Sequence, residues 1–264
     1  MSKVLWKGKD VLRIVKGHGP SDWNAYGISI DTRTLRKGDI FFALAGPNYD
    51  GHQFINEAIK KGACVVVSNA PVLNHEKKVI VVNDVVKALI ALGKSSRNRN
   101  KGKIIAVTGS SGKTTVKEML ALSLSDSGKI HYSQSSYNNK IGVSLSLARM
   151  PADTDFSIFE VGMNNYGEIS YLSKMIKPDI GLINNAGSAH IKYFKSKKEI
   201  EKEKLELIHG LNSGGSLVLN EDISINKSIK NFSKKNNIEL IKFGQNDKSN
   251  NFLINYRYFP DGSL

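Results

Sequence analysis

Short runs of β-branched and apolar residues alternate along most of this chain with stretches whose apolar positions recur at helical spacing, and glycines mark many of the turns between them. In the first hundred residues the pattern predicts strands at YGISID (26–31), GDIFFAL (38–44), ACVVVSN (63–69) and KVIVVND (78–84). Helices are predicted near Val11 to Val15, at HQFINEAIKKG (52–62), with Gly62 in the closing position, and at VVKALIALGKSS (85–96). The polar, basic run SSRNRNKGK (95–103) then breaks the apolar pattern and is the best candidate boundary, dividing the chain into domains 1–98 and 99–264.

Beyond it the strand KIIAVT (103–108) leads to a helix whose inward face should carry Val116, Met119, Leu120 and Leu124. The strands FSIFEVG (156–162), DIGLINN (179–185) and GSLVLN (215–220) follow, with a charged helix around residues 196–211. Near-continuous apolar strands of this kind belong to a parallel sheet covered on both faces, so the fold class is α/β. A small α/β domain precedes a larger, mostly parallel one. Past Asn220 only IELIKFG (238–244) and FLINYRYF (252–259) read as strands, and the DG turn signal at 261–262 falls just before the last residue. The sequence therefore reads as truncated inside its second domain.

At 264 residues the chain suits two modest domains. The single cysteine, Cys64, allows no internal disulfide and lies in an apolar run, where it reads as a small core residue in a reducing compartment. No leader-like or membrane-spanning apolar segment is visible, so a soluble, cytoplasmic and monomeric protein is expected, with no membrane partner. The net charge of +14 raises nucleic-acid binding as an alternative. Its lysines are scattered and mixed with glutamates, as in KSKKEIEKEKLE (195–206), which reads as a solvated helix face, and no recognition motif accompanies them. No nucleic-acid partner is expected.

The chemistry concentrates at VTGSSGKTT (107–115), a glycine loop between strand and helix. There the loop N–H groups and the helix N-terminus favour an anion, Lys113 adds a mobile charge, and the Thr114 hydroxyl can reach a magnesium ion. The run is shorter than a full Walker A loop, with Val107 where that motif has its first glycine. Thr108, Gly109, Ser110, Ser111, Gly112, Lys113, Thr114 and Thr115 are the candidate phosphate binders. Ligands gather at the carboxyl ends of parallel strands, where Glu160, the Asn184/Asn185 pair with His190 beyond it, and Asn220 also fall. Glu160 is a candidate metal ligand; His190 and Lys204 are unremarkable by themselves. DTRTLRKGD (31–39) and DGHQF (50–54) could hold a diphosphate through an arginine and a helix N-terminus.

Taken together, IDTRTLRKGDIFFALAGPNYDGHQFINEAIKKGA (30–63), VTGSSGKTTVKEML (107–120), YNNKIGVSLSL (137–147), FEVGMNNYGEISYL (159–172) and INNAGSAHIKYFKSKKEIEKEKLEL (183–207) resemble the Mur ligases. In that family the shortened phosphate loop is the normal form. The resemblance implies ATP-dependent amide ligation through an acyl phosphate, with Mg²⁺ as cofactor, in peptidoglycan precursor synthesis. It implies that Lys113 serves the outer phosphates, Thr114 and Glu160 one magnesium, and His190 the other. Lys204 would be the carbamylated lysine that binds metal, with Lys202 the runner-up. Asn138 and Asn139 would lie near the substrate, and Asp31, Thr32, Arg33, Asn48, Asp50 and His52 would line a UDP site. NNKIGVSLSL and EVGMNNYGEI lean towards the member that joins D-alanyl-D-alanine to UDP-N-acetylmuramoyl-tripeptide. The member adding the third amino acid and a non-enzymatic nucleotide-binding regulator are the alternatives. Family members carry a third domain, which the resemblance does not find here, so the fragment alone is expected not to complete ligation.

Overall fold

The computed structural model describes residues 3–46, 49–134, 137–187, 194, 196–245 and 249–253. The chain forms two compact units, Met1–Gly102 with Lys140–Asp155, and Lys103–Asn139 with Phe156–Leu264.

In the first unit, β1 (Trp6–Lys7) pairs antiparallel with β2 (Asn24–Ala25) on either side of helix α1 (Gly8–Val15). Strands β3 (Gly27–Ser29) and β4 (Asp39–Phe42) are followed by a small ribbon, β5 (Ala45–Gly46) with β6 (Tyr49–Asp50), and by helix α2 (Ile55–Lys60). Strands β7 (Val65–Ser68) and β8 (Val79–Val81) and helix α3 (Val85–Arg99) complete the run. The sheet is parallel in the order β3-β4-β7-β8. Phe41, Ala43, Val66 and Val79 pack against Ile55 and Ala58 of α2, which is why these strands read as continuous apolar runs. Gly62 adopts φ +92 just after α2, the role its position announced.

The first boundary between the two units, after Gly102, falls inside the polar run at 95–103, but most of that run is helical. Helix α3 continues through it to Arg99, and Ser96 and Asn100 are buried there, each with a backbone partner. Ser96 Oγ donates to the Met150 carbonyl at 2.9 Å and Asn100 Nδ2 to that of Thr154 at 3.0 Å. The Arg99 guanidinium stacks 3.7 Å from the centre of the Trp6 ring.

The second unit opens with β9 (Lys103–Thr108), α4 (Lys113–Leu124) and β10 (Ile130–Tyr132). The chain then contributes helix α5 (Lys140–Ala148) to the first unit, where its residues from Gly142 onward are buried. Gly93 of α3 permits this: a Cβ there would lie 2.8 Å from the Ser144 carbonyl oxygen of α5. A division at 98/99 into two continuous domains does not describe this exchange of one helix.

After returning, the chain forms β11 (Phe156–Glu160), α6 (Glu168–Ile176), β12 (Ile180–Ile183), α7 (Lys197–Leu205), β13 (Ser216–Asn220), α8 (Lys227–Lys235), β14 (Glu239–Gly244) and β15 (Asn251–Phe252). All seven strands are parallel, in the order β10-β11-β9-β12-β13-β14-β15, so the phosphate-loop strand β9 lies between β11 and β12. Val116, Leu120 and Leu124 of α4 pack on Ile105, Val107 and Ile158 as expected. Met119 does not: it is 63% exposed, and Ala121 and the aliphatic stem of Lys117 take the inward positions. Helix α8 was not foreseen in its lysine-rich segment; Asn226 caps it and only Ile229 and Ser233 are buried. Among the described residues no helix is long and apolar enough to cross a membrane.

Candidate active site

Strand β9 is buried from Ile104 to Thr108, whereas the loop it feeds is exposed from Ser111 onward. Gly112 makes the turn into α4 with φ +72, and a Cβ there would stand 2.8 Å from Asn184 Nδ2. A side chain would be both strained and crowded. The first-turn N–H groups of α4 have no acceptor within the helix, which gives this end an affinity for anions. Lys113 folds back so that Nζ donates to the Gly109 carbonyl at 2.9 Å. Burial lowers its pKa, and the neighbouring Glu160 charge acts in the opposite direction.

Two asparagines after β12 grip the loop. Asn185 Oδ1 accepts from the N–H groups of Ser110 at 2.9 Å and Ser111 at 3.0 Å, while its Nδ2 donates to the Ser111 hydroxyl at 3.1 Å. Asn184 Nδ2 donates to the Ser111 carbonyl at 3.0 Å, and Ser110 Oγ donates to that of Gly187, also at 3.0 Å. The pair was legible as suggestive residues at a strand end. Its direct hold on the loop was not.

Glu160, 1% exposed, ends β11 beside the loop. The Thr114 hydroxyl donates to Oε2 at 2.8 Å and Asn138 Nδ2 to Oε1 at 2.8 Å. Asn138 thus orients the carboxylate, and Asn139 is exposed at the start of α5. Sequence reasoning missed Lys117, one helical turn beyond Lys113. It is fully buried and donates to the Ser133 carbonyl at 2.7 Å, and the Ser133 hydroxyl accepts the Glu160 N–H at 3.4 Å. No local pattern marks it; only the packing of α4 buries Lys117 and leaves its neighbour Glu118 exposed.

Lys204 overturns its reading as part of a solvated face. It is 1% exposed at the end of α7, whereas Lys202 is exposed, so burial separates the two candidates. Burial, reinforced by the Lys113 charge, pushes the Lys204 pKa down to about 7. Its neighbour Glu203 is also buried and accepts the Gly167 N–H at 2.8 Å, holding α7 against the start of α6. Asn220 is not drawn into the cluster; its Oδ1 accepts the Asp222 N–H at 3.0 Å, closing a local turn. His190 lies outside the described residues. Among those described, no three His, Cys, Asp or Glu side chains gather as a metal site. The oxygen pair of Thr114 and Glu160 nevertheless has the hard-donor chemistry that magnesium prefers when phosphate and water complete its shell.

In the first unit, Asp31 holds Arg33 through its backbone N–H at 2.9 Å and its guanidinium at 2.6 Å. These bonds lower the Asp31 pKa. Thr32 is buried, and its carbonyl accepts from Lys61 Nζ at 3.0 Å, tying the turn to the end of α2. At the other end of that helical segment Asp50 accepts from the His52 N–H at 3.0 Å and contacts Nδ1 at 2.5 Å. The His52 Nε2 is buried without a protein partner. Asn48 lies outside the described residues. Cys64 is half-buried rather than part of the core: its thiol donates to the Asp39 carbonyl at 3.3 Å, and desolvation pushes its pKa up to about 12.

A parallel α/β sheet with a glycine loop between a central strand and its helix, and a carboxylate at the next strand end, is an arrangement that suits an anionic ligand such as a phosphate. The chain belongs to the Mur ligase family: the middle-domain profile matches residues 107–263 and the family's catalytic-domain profile residues 24–111. It is 35% identical over 256 residues to the UDP-N-acetylmuramoyl-tripeptide–D-alanyl-D-alanine ligase of Rickettsia prowazekii, covering 96% of this chain and 57% of that protein. A crystal structure of MurF from Acinetobacter baumannii superposes with a TM-score of 0.84 at 28% identity, covering 97% of this chain and 56% of the other. MurF from Thermotoga maritima in complex with ADP gives 0.73 at 26% identity, covering 89% and 53%. The chain spans about half the length of the relatives it matches.

Proposed function

We propose that this chain forms the nucleotide-binding and UDP-substrate-binding parts of an ATP-dependent ligase that joins D-alanyl-D-alanine to UDP-N-acetylmuramoyl-tripeptide in the cytoplasm. The observation that carries the reading is the convergence of the glycine loop, buried Glu160 and buried Lys204 in one unit of a chain similar to ligases of that name. A carboxylate is a poor electrophile, and phosphorylation converts one oxygen into a leaving group that an amine can displace. The region around 103–139 and 156–220 serves ATP, and the first unit serves the UDP moiety.

On this reading the N-terminal turn of α4 and Lys113 hold the phosphates and offset the charge that develops in transfer. Thr114, Glu160, His190 and Lys204, the last as its carbamate, are the residues that would hold magnesium. The metal would neutralise phosphate charge and orient the reacting oxygens. A buried amine with a pKa near 7 is substantially uncharged at neutral pH, the state that attacks carbon dioxide. Asp31, Thr32, Arg33, Asp50 and His52 present an arginine, a backbone turn and a ring nitrogen suited to a diphosphate and uracil. Asn48 and Asn139 remain assigned to substrate by resemblance.

The test is phosphate release by the complete reading frame with each UDP-muramoyl peptide and each candidate amine. Release that requires tripeptide plus D-alanyl-D-alanine supports the assignment; release that requires dipeptide plus a diamino acid transfers it to the preceding ligation. Lys204→Ala is expected to lose activity and to regain part of it with a small added carboxylate. Full activity without rescue would remove Lys204 from the site.

A further inference from the structure

The loop donors that phosphate is expected to use are partly engaged already. Asn185 Oδ1 occupies the N–H groups of both Ser110 and Ser111, and the Asn185 backbone carbonyl also accepts from Ser110 at 3.1 Å. Its Nδ2 reaches the Ser111 carbonyl at 3.2 Å and hydroxyl at 3.1 Å. One side chain therefore satisfies donors and acceptors of the two residues between Gly109 and Gly112. In a longer phosphate loop those residues would wrap the anion with their own N–H groups. Here Asn185 occupies those N–H groups, and the middle of the loop is pinned from the segment after β12 instead.

We propose that Asn185 is a positioning residue for nucleotide binding: it holds Ser110 and Ser111 in place so that the phosphates meet only the helix-terminal N–H groups and Lys113. The proposal rests on the nucleotide reading of the loop. Its physical content is entropic, since fixing two loop residues in advance removes an ordering cost that binding would otherwise bear. The competing possibility, that Asn185 blocks donors phosphate needs, predicts the opposite change in affinity.

The test measures ADP affinity by calorimetry, amide hydrogen exchange at Ser110 and Ser111, and thermal unfolding without nucleotide, for the 264-residue chain and two variants. Asn185→Ala is expected to weaken ADP binding about tenfold, to speed exchange at both amides and to leave the midpoint within about 3 °C. Asn185→Asp keeps a similar shape and the acceptor, so it tests the clamp even where alanine does not fold; it should retain slow exchange at both amides. Unchanged or tighter ADP binding by Asn185→Ala overturns the proposal, as does fast exchange at Ser110 and Ser111 in Asn185→Asp. Failure of the unmodified chain to bind ADP, with slow exchange at both amides, would instead sink the nucleotide reading.

Discussion

The two sheets end in polar clusters built in opposite ways. Around the phosphate loop, polar groups are tied by residues distant in sequence, and the charged Glu160 and Lys117 among them are buried: Thr114 to Glu160, Asn138 to Glu160, Asn185 to Ser111, Lys117 to Ser133. In the first unit, Asp31 and Asp50 bond to groups two residues away, and the Arg33 side chain stays 85% exposed. The first construction fixes geometry before any ligand arrives, because a buried charge without partners is costly. The second stores its polar groups in local turns, where a ligand can re-pair them at small cost.

The largest effect that separates the two constructions concerns Lys204. Its folded pKa of about 7 lies below the value of a free lysine, so between pH 7 and about 10 the unfolded chain binds more protons than the folded one. This group's contribution to stability should therefore be lowest and flat below pH 7 and rise by roughly 1 kcal/mol per pH unit from there to about pH 9, above which the raised Cys64 pKa acts in the opposite direction. In buffer free of carbon dioxide, Lys204→Met should remove this contribution to the slope and gain on the order of 3–5 kcal/mol at pH 7. Denaturant midpoints across pH provide the measurement, and an unchanged slope would mean that Lys204 is solvated.

Next in size, Lys113→Ala should weaken ADP binding about a hundredfold, roughly 2.7 kcal/mol, through loss of a charge-assisted contact to phosphate. A change under about threefold would detach the loop from the phosphates. Gly112→Ala should cost about 1–2 kcal/mol in urea unfolding, because it places a Cβ at positive φ. The Cβ would also crowd Asn184. A neutral result would show that the turn relaxes freely. Smallest for stability is Asp31→Asn, expected to shift the thermal midpoint by no more than about 2 °C, since the turn it closes is exposed. The same substitution should lower affinity for a UDP-sugar several-fold; unaltered affinity would remove this turn from the substrate site.

The strands, the loop and the burial of Glu160's strand were legible from periodicity, because a parallel sheet covered on both faces leaves continuous apolar runs. The buried lysines were not. In KKEIEKEKL (197–205) and KTTVKEMLALSL (113–124) nothing in composition distinguishes Lys204 from Lys202, or Lys117 from an exposed neighbour. Only the packing of α7 and α4 selects them. The polar end of α3 marked the boundary but not its own burial, for the related reason that Ser96 and Asn100 find partners in residues some fifty positions away.

By itself the sequence determined the alternation of strands and helices, the shortened phosphate loop and the family, all of which depend on local spacing. The tertiary structure decided that α5 crosses into the first unit, that Asn138 serves Glu160 and that Asn185 clamps the loop. Each of these rests on contacts between elements, and on which polar groups lose water when those elements pack. No local pattern encodes that.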